Sequence, residues 1–245
     1  MIKEALQYII GLQQPRVEKI NDKHYYFYNG TPMLLNECQD CDPLEISTLT
    51  SLVDYIKGRM KDDFWAVGEA PQMIVHVESE TEVRLVSAFN IDMNRWEIAR
   101  VKARVPRIAL NEFIGQEQFI IQMQSMFADT LDKGIILQVA GNVEDKTIAN
   151  YGDDGVTQKA TIKTGLASME DVIVPNPVKL QPFRTFHEIS QPEIEFVFRM
   201  KNGAGGVSCA LFEADGGAWK FKAVHRIAEY LRSELDGTEN IVVLS

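Results

Sequence analysis

The sequence offers few residues whose spacing suggests chemistry. Cys38-x-x-Cys41 is the first. Two thiols so spaced form half of a zinc site or a redox pair, but tetrahedral zinc needs two more ligands. The chain has no second CxxC and no HxxxH, and only Cys209 and His24 remain to be recruited. A redox pair favours a helix N-terminus after a strand, whereas Asp40 and Asp42 flank Cys41 and oppose a thiolate. The four histidines, His24, His76, His187 and His225, are scattered. An acid–base enzyme would need a pocket joining His187, His225, Glu188 and Asp215. Asp153-Asp154, between Gly152 and Gly155, offers oxygens to a hard cation but lacks the spaced acids of a calcium loop, so it reads as a turn. Asp215-Gly216-Gly217 opens a helix without GxGxxG or GK[ST], which makes it a tight strand-to-helix turn. There is no Gly-x-Ser-x-Gly elbow. No cofactor and no metal is expected.

The one concentrated basic strip is Arg100, Lys102, Arg104 and Arg107. On a strand, Arg100, Lys102 and Arg104 share a face, which could meet phosphates or an acidic neighbouring subunit. A solvated strand face is the plainer reading. Net charge points the same way: at −10 the chain is acidic overall, opposite to the usual footprint of phosphate-backbone binding.

The chain has 245 residues, 45% hydrophobic and 24% charged, ordinary values for a globular protein with a large core. No run of about 18 apolar residues is present to span a bilayer. Residues 1–5, with Glu4, do not read as a signal peptide. Three cysteines, an odd count, suit a reducing compartment better than a disulfide framework.

The elements follow from periodicity. An amphipathic helix is predicted over residues 1–13, then a β-prone run of Tyr25, Tyr26, Phe27 and Tyr28 turned by Asn29-Gly30. Ser47 is predicted to cap a helix whose stripe is Leu49, Leu52, Val53, Ile56 and Met60. Residues 73–77 and 83–87 pattern as a hairpin, and 95–105 as a further strand. Asn111 is predicted to cap a helix running to Phe127, and residues 134–143 read as a strand. Residues 148–162 pattern as a hairpin through Gly152 and Gly155.

The clearest patterning lies in residues 183–235. A short strand is predicted at 183–189. Ile194, Phe196, Phe198 and Met200 then share one parity against Glu193, Glu195 and Arg199, a strand with one apolar and one charged face. Val207, Cys209 and Leu211 mark its return. The last helix, 218–235, carries Phe221, Val224, Ile227, Ala228, Leu231 and Leu235 and is predicted to roof that sheet. Asp236-Gly237 stops it.

Several segments also resemble a known family. They are 49–56 (Leu-Thr-Ser-Leu-Val-Asp-Tyr-Ile), 151–156 (Tyr-Gly-Asp-Asp-Gly-Val) and Pro175-Asn176-Pro177-Val178. They continue in Pro182-Phe183-Arg184-Thr185-Phe186-His187-Glu188-Ile189 with Gln191-Pro192, in 196–199 and in 210–219. From about Ser47 onward the chain resembles the YfdQ-like family of uncharacterised phage and prophage proteins. The resemblance implies a non-structural gene product acting inside the infected bacterium, in the host cytoplasm. That family has no assigned activity and no catalytic residues to carry over.

The fold class expected is α+β: a mostly antiparallel sheet, helices on one face, and a C-terminal β-β-α unit. Residues 1–46 form an arm of helix and aromatic strand, and residues 47–245 the main domain. The function expected is a non-enzymatic phage or prophage accessory protein that binds or self-assembles, in counter-defence or as a shell or scaffold. Its partners would be further copies of itself and a host or phage protein, with no membrane. The alternative is an accessory of phage DNA replication or recombination, contacting single-stranded DNA through Arg100, Lys102, Arg104 and Arg107.

Overall fold

A computed structural model describes residues 16–20, 23–28, 31–34, 42–59, 72–89, 93–142, 158–163, 169–174, 176–203 and 206–245. The chain divides into two compact units, Met1–Asp42 and Pro43–Ser245. In the first, strands β1 (Arg16–Ile20), β2 (Lys23–Tyr28) and β3 (Thr31–Leu34) pair antiparallel. The aromatic run is therefore the middle strand of this sheet. The helix predicted over residues 1–13 lies outside the described residues, as do Cys38 and Cys41.

The second unit is α+β, with two main sheets and two cores. Strand β4 (Leu44–Ile46) runs parallel to β7 (Glu97–Lys102), so residues 44–46 belong to this unit. Strands β5 (Met73–Val77), β6 (Glu82–Ser87) and β7 form an antiparallel meander, and β14 (Ile241–Leu244) runs parallel to β5 at the other edge. One face of this sheet is apolar because every second residue is: Met73, Val75, Val77, Val83, Leu85 and Val101 are buried. They pack with helix α1 (Leu49–Asp54), where Leu49, Leu52 and Val53 are buried, and with Ile56 in the π-helical turn Tyr55–Arg59. Met60 lies outside the described residues. Thr48 is the cap, one residue later than predicted: its Oγ1 accepts the Ser51 N–H at 3.2 Å.

The second sheet is β11 (Val178–Leu180), β12 (Ile194–Gly203), β13 (Gly206–Glu213) and the short β8 (Ile114–Gly115), all antiparallel. The parity prediction for β12 holds: Ile194, Phe196, Phe198 and Met200 are buried. Their cover differs from the prediction. Helices α2 (Gln116–Met126) and α3 (Leu131–Asn142) supply Phe119, Met123, Ile136, Val139 and Ala140 to this core. The Phe119 and Phe198 rings lie 5.5 Å apart, and Phe127, just past α2, meets Phe196 at 6.4 Å.

The last helix, α4 (Ala218–Glu234), bridges both cores. Trp219 and Ala223 join the α2–α3 core, while Ile227, Ala228, Leu231 and Leu235 join the core of the five-stranded sheet. At about 100° per residue, the buried stripe rotates by about a quarter-turn or more between its halves. Phe221 falls outside the sector buried at its own level and is 80% exposed, correcting its assignment to the apolar stripe. Gly237 ends the helix at φ 75, as predicted.

Three further predictions change. The strand predicted over residues 134–143 is replaced, over the described 134–142, by helix α3, whose buried Lys133, Ile136, Val139 and Ala140 recur at helical spacing. Residues 183–189 form an irregular loop without strand pairing, tied internally by the Gln191 side chain. Asn111 does not cap α2. It stands at φ 61, and its Oδ1 accepts the Glu213 N–H at 3.2 Å. The hairpin near residue 160 is β9 (Gln158–Lys163) with β10 (Met169–Val174), beside α3, and Gly152–Gly155 lie outside the described residues. No helix among the described residues is long and apolar enough to cross a membrane.

Candidate functional site

An open cleft of about 670 Å³ lies where three distant segments meet. Ser47, Thr48, Thr50 and Ser51 come from the start of α1, Ala103 and Arg104 from beyond β7, and residues 185–188 from the irregular loop. The loop is held to the helix by Glu188. Its Oε1 accepts the N–H of Leu49 at 2.6 Å and of Thr50 at 3.3 Å. Those amides would otherwise be orphans of the first helical turn, and a carboxylate also suits the positive end of the helix. Thr185 Oγ1 donates to the Glu80 carbonyl at 2.5 Å, and Phe186 is buried in the core beneath.

The hydroxyls are also engaged. Thr48 Oγ1 donates to Ser51 Oγ at 2.7 Å, and Thr50 Oγ1 lies 3.2 Å from the Tyr230 hydroxyl. His187 is exposed, with its ring 5.7 Å from that of Phe183. Arg104 has no carboxylate partner among the described residues. The wall thus offers hydroxyls, one imidazole and one guanidinium to a polar guest. Among the described residues no hydroxyl of this wall bonds to His187, as an activated nucleophile would need.

The four residues required for an acid–base pocket are not gathered. His187 and Glu188 line this cleft. Asp215 caps α4, its Oδ1 accepting the Gly217 N–H at 3.0 Å and its Oδ2 the Trp219 N–H at 2.9 Å. It lines a different cleft, of about 260 Å³, with Lys179, Glu193, Glu195 and Lys222. His225 sits exposed on α4, 3.1 Å from Glu229. Cys209 is buried, and burial pushes its thiol pKa up to about 12, the reverse of a reactive cysteine. Among the described residues no three or more His, Cys, Asp or Glu side chains are placed to hold a metal. Asp153 and Asp154 lie outside them.

The basic strip does not stay a strip. A β-bulge sets Glu97 and Ile98 against a single step of β6, with Leu85 opposite Ala99 and Val86 opposite Glu97. Strict alternation would put Glu97 on the buried face with Ala99, and the extra residue turns it to the face of Arg100. There Arg100 Nε and Nη2 each donate to Glu97 at 2.6 Å, a bidentate pair. That fork holds the Glu97 carboxyl below its usual range and raises Arg100. Arg84, opposite Arg100, lies 2.6 Å from Glu78, and Lys102 pairs in register with Glu82. Arg104 belongs to the first cleft. Arg107 lines another, of about 420 Å³, with Ile121 and Gln122 of α2. The face of β6 and β7 is a mixed-sign network, while Arg104 and Arg107 stand apart in separate clefts.

The sequence pointed to His187 and Glu188 but not to the cleft they line. The missed signal is Ser47-Thr48-Leu49-Thr50-Ser51, a hydroxyl-rich run that contributes both a cap and a wall. No family model, no curated protein and no solved structure matches this chain.

Proposed function

We propose that this chain is a non-enzymatic accessory protein of a tailed phage or prophage, acting by binding within the infected bacterium and as a homo-oligomer. One observation carries the binding reading. The side chains best suited to acid–base or nucleophilic work are committed to holding the fold: Glu188 to the start of α1, Asp215 to the start of α4, and Cys209 to the core. What the cleft beside α1 presents is recognition chemistry, the hydroxyls and Arg104. The phage context rests on the resemblance, from about Ser47 onward, to the YfdQ-like family. Counter-defence and a shell or scaffold role are both forms of such binding.

The test is the mass of the purified protein in solution, by light scattering at micromolar concentration. A value of at least twice the 27.7 kDa chain is expected. A monomer at that concentration overturns the self-assembly reading.

A further inference from the structure

We propose that the cleft beside α1 binds a sugar phosphate without turning it over: its phosphate group at Arg104, Ser47 and His187, its hydroxyls at Glu188. This rests on the binding reading above and does not depend on subunit number.

The charge pairing of the chain singles out Arg104. At net charge −10, acidic partners are plentiful. Arg84 lies against Glu78, Arg100 against Glu97, Arg184 against Glu213 and Lys220 against Glu80. Arg104 is exposed and makes no hydrogen bond or ion pair among the described residues. A carboxylate does share its cleft, but Glu188 is committed elsewhere: its Oε1 accepts the Leu49 and Thr50 amides. The guanidinium therefore lines an open space of about 670 Å³ with its fork of donors unfilled.

Two more donors reach the same cleft from other segments. The Ser47 hydroxyl is half-buried and has no partner among the described residues. The His187 imidazole is exposed and meets only the Phe183 ring. Donors arriving from three segments suit a tetrahedral anion. A phosphate spreads its oxygens in different directions, whereas a carboxylate offers two in one plane. The amides at the start of α1 are taken by Glu188, so side chains alone hold the anion.

The rest of the wall calls for hydroxyls. Glu188 Oε2 makes no hydrogen bond among the described residues, and an ionised carboxylate only accepts. The Thr48 and Ser51 hydroxyls beside it both donate and accept. A bare phosphate would leave these groups without a partner and Glu188 facing a like charge. A sugar gives the carboxylate O–H donors and sets the anion apart from it. The volume falls within the range of about 300–1,000 Å³ typical of small-ligand sites, more than a phosphate ion fills. Among the described residues no hydroxyl of the wall bonds to His187, so the guest is held and not attacked.

The experiment is a titration with ribose 5-phosphate, glucose 6-phosphate and AMP, read by NMR at the His187 ring signals, which His187→Gln assigns. A saturable shift at millimolar concentration is expected with at least one of them, and weaker binding of ribose or inorganic phosphate alone. Arg104→Gln should weaken that binding about ten-fold or more, the loss of a charge-assisted hydrogen bond, and Ser47→Ala by less. Arg107→Gln, in a separate cleft with Glu112, should leave it unchanged. Arg104 and Arg107 are both exposed, and circular dichroism checks that the variants fold. No saturable shift with any of the three overturns the site. So does equal weakening by the two arginine variants, or inorganic phosphate binding as tightly as the sugar phosphates. Release of inorganic phosphate that Arg104→Gln abolishes would overturn binding without turnover, and with it the non-enzymatic reading. The self-assembly reading stands or falls separately, on the light-scattering mass.

Discussion

Glu188 and Leu49, 139 positions apart in the chain, are joined by a 2.6 Å hydrogen bond from the helix amide to the loop carboxylate. The bond fastens an irregular loop to the first turn of α1 and shapes the cleft of about 670 Å³ beside it. Glu188→Ala should therefore destabilise the protein by about 1–2 kcal/mol, the upper range for loss of a helix cap, and Glu188→Gln by less. Urea unfolding reads this directly. An unchanged midpoint in the alanine variant would show that the carboxylate does not hold the helix.

The roof of the four-stranded sheet is tested by two phenylalanines. Phe198 is 1% exposed beneath Phe119 of α2, so Phe198→Ala should cost about 3–5 kcal/mol. Phe221 was predicted from the sequence to belong to the helix's buried stripe, but it faces solvent. Phe221→Ala should shift stability by no more than about 0.5 kcal/mol. Equal losses at both positions would restore the last helix as the principal cover of that sheet.

The difference between those residues shows what the sequence could reveal. Strands β5, β6, β12 and β13 were legible because each has a core face and a more polar or exposed one, so local alternation reports the tertiary environment. Helix α3 was not. Ile135, Ile136, Leu137 and Val139 crowd together, and β-branched residues in so apolar a run read as a strand. The drift of the α4 stripe depends on its crossing from one core to the other, which no local period encodes. The cleft was hidden for a related reason. Its wall comes from residues 47–51, 103–104 and 185–188, and only folding brings them together. The bulge that turns Glu97 toward Arg100 was equally invisible, since strict alternation assigns it to the opposite face.

That bulge makes a pH prediction. The fork from Arg100, with further help from Arg84 and Lys102, holds the Glu97 carboxyl below the ordinary value of 4.5. A folded-state pKa lower than the unfolded one means that the unfolded chain binds the proton more readily. The stabilisation is therefore full above about pH 4.5 and fades as pH falls through the lowered folded value. Wild type should be more stable than Glu97→Gln at neutral pH, and the gap should close in acid. A gap constant from pH 7 down to pH 2 would show that the charge of Glu97 contributes nothing.

Cys209 allows a chemical check of the core. It has no exposed surface in the β13 strand, and burial pushes its thiol up to about 12. Alkylating and disulfide reagents attack the thiolate, so both access and ionisation protect it at neutral pH. In a Cys38→Ser/Cys41→Ser variant, Cys209 is the sole thiol. It should react with a coloured disulfide reagent only after denaturant is added. Below the transition, the rate should track the population that opens the sheet, and it should rise in Phe198→Ala, whose ring shares that core. Rapid labelling of the folded variant in dilute buffer would mean that β13 is not sealed beneath α2 and α3.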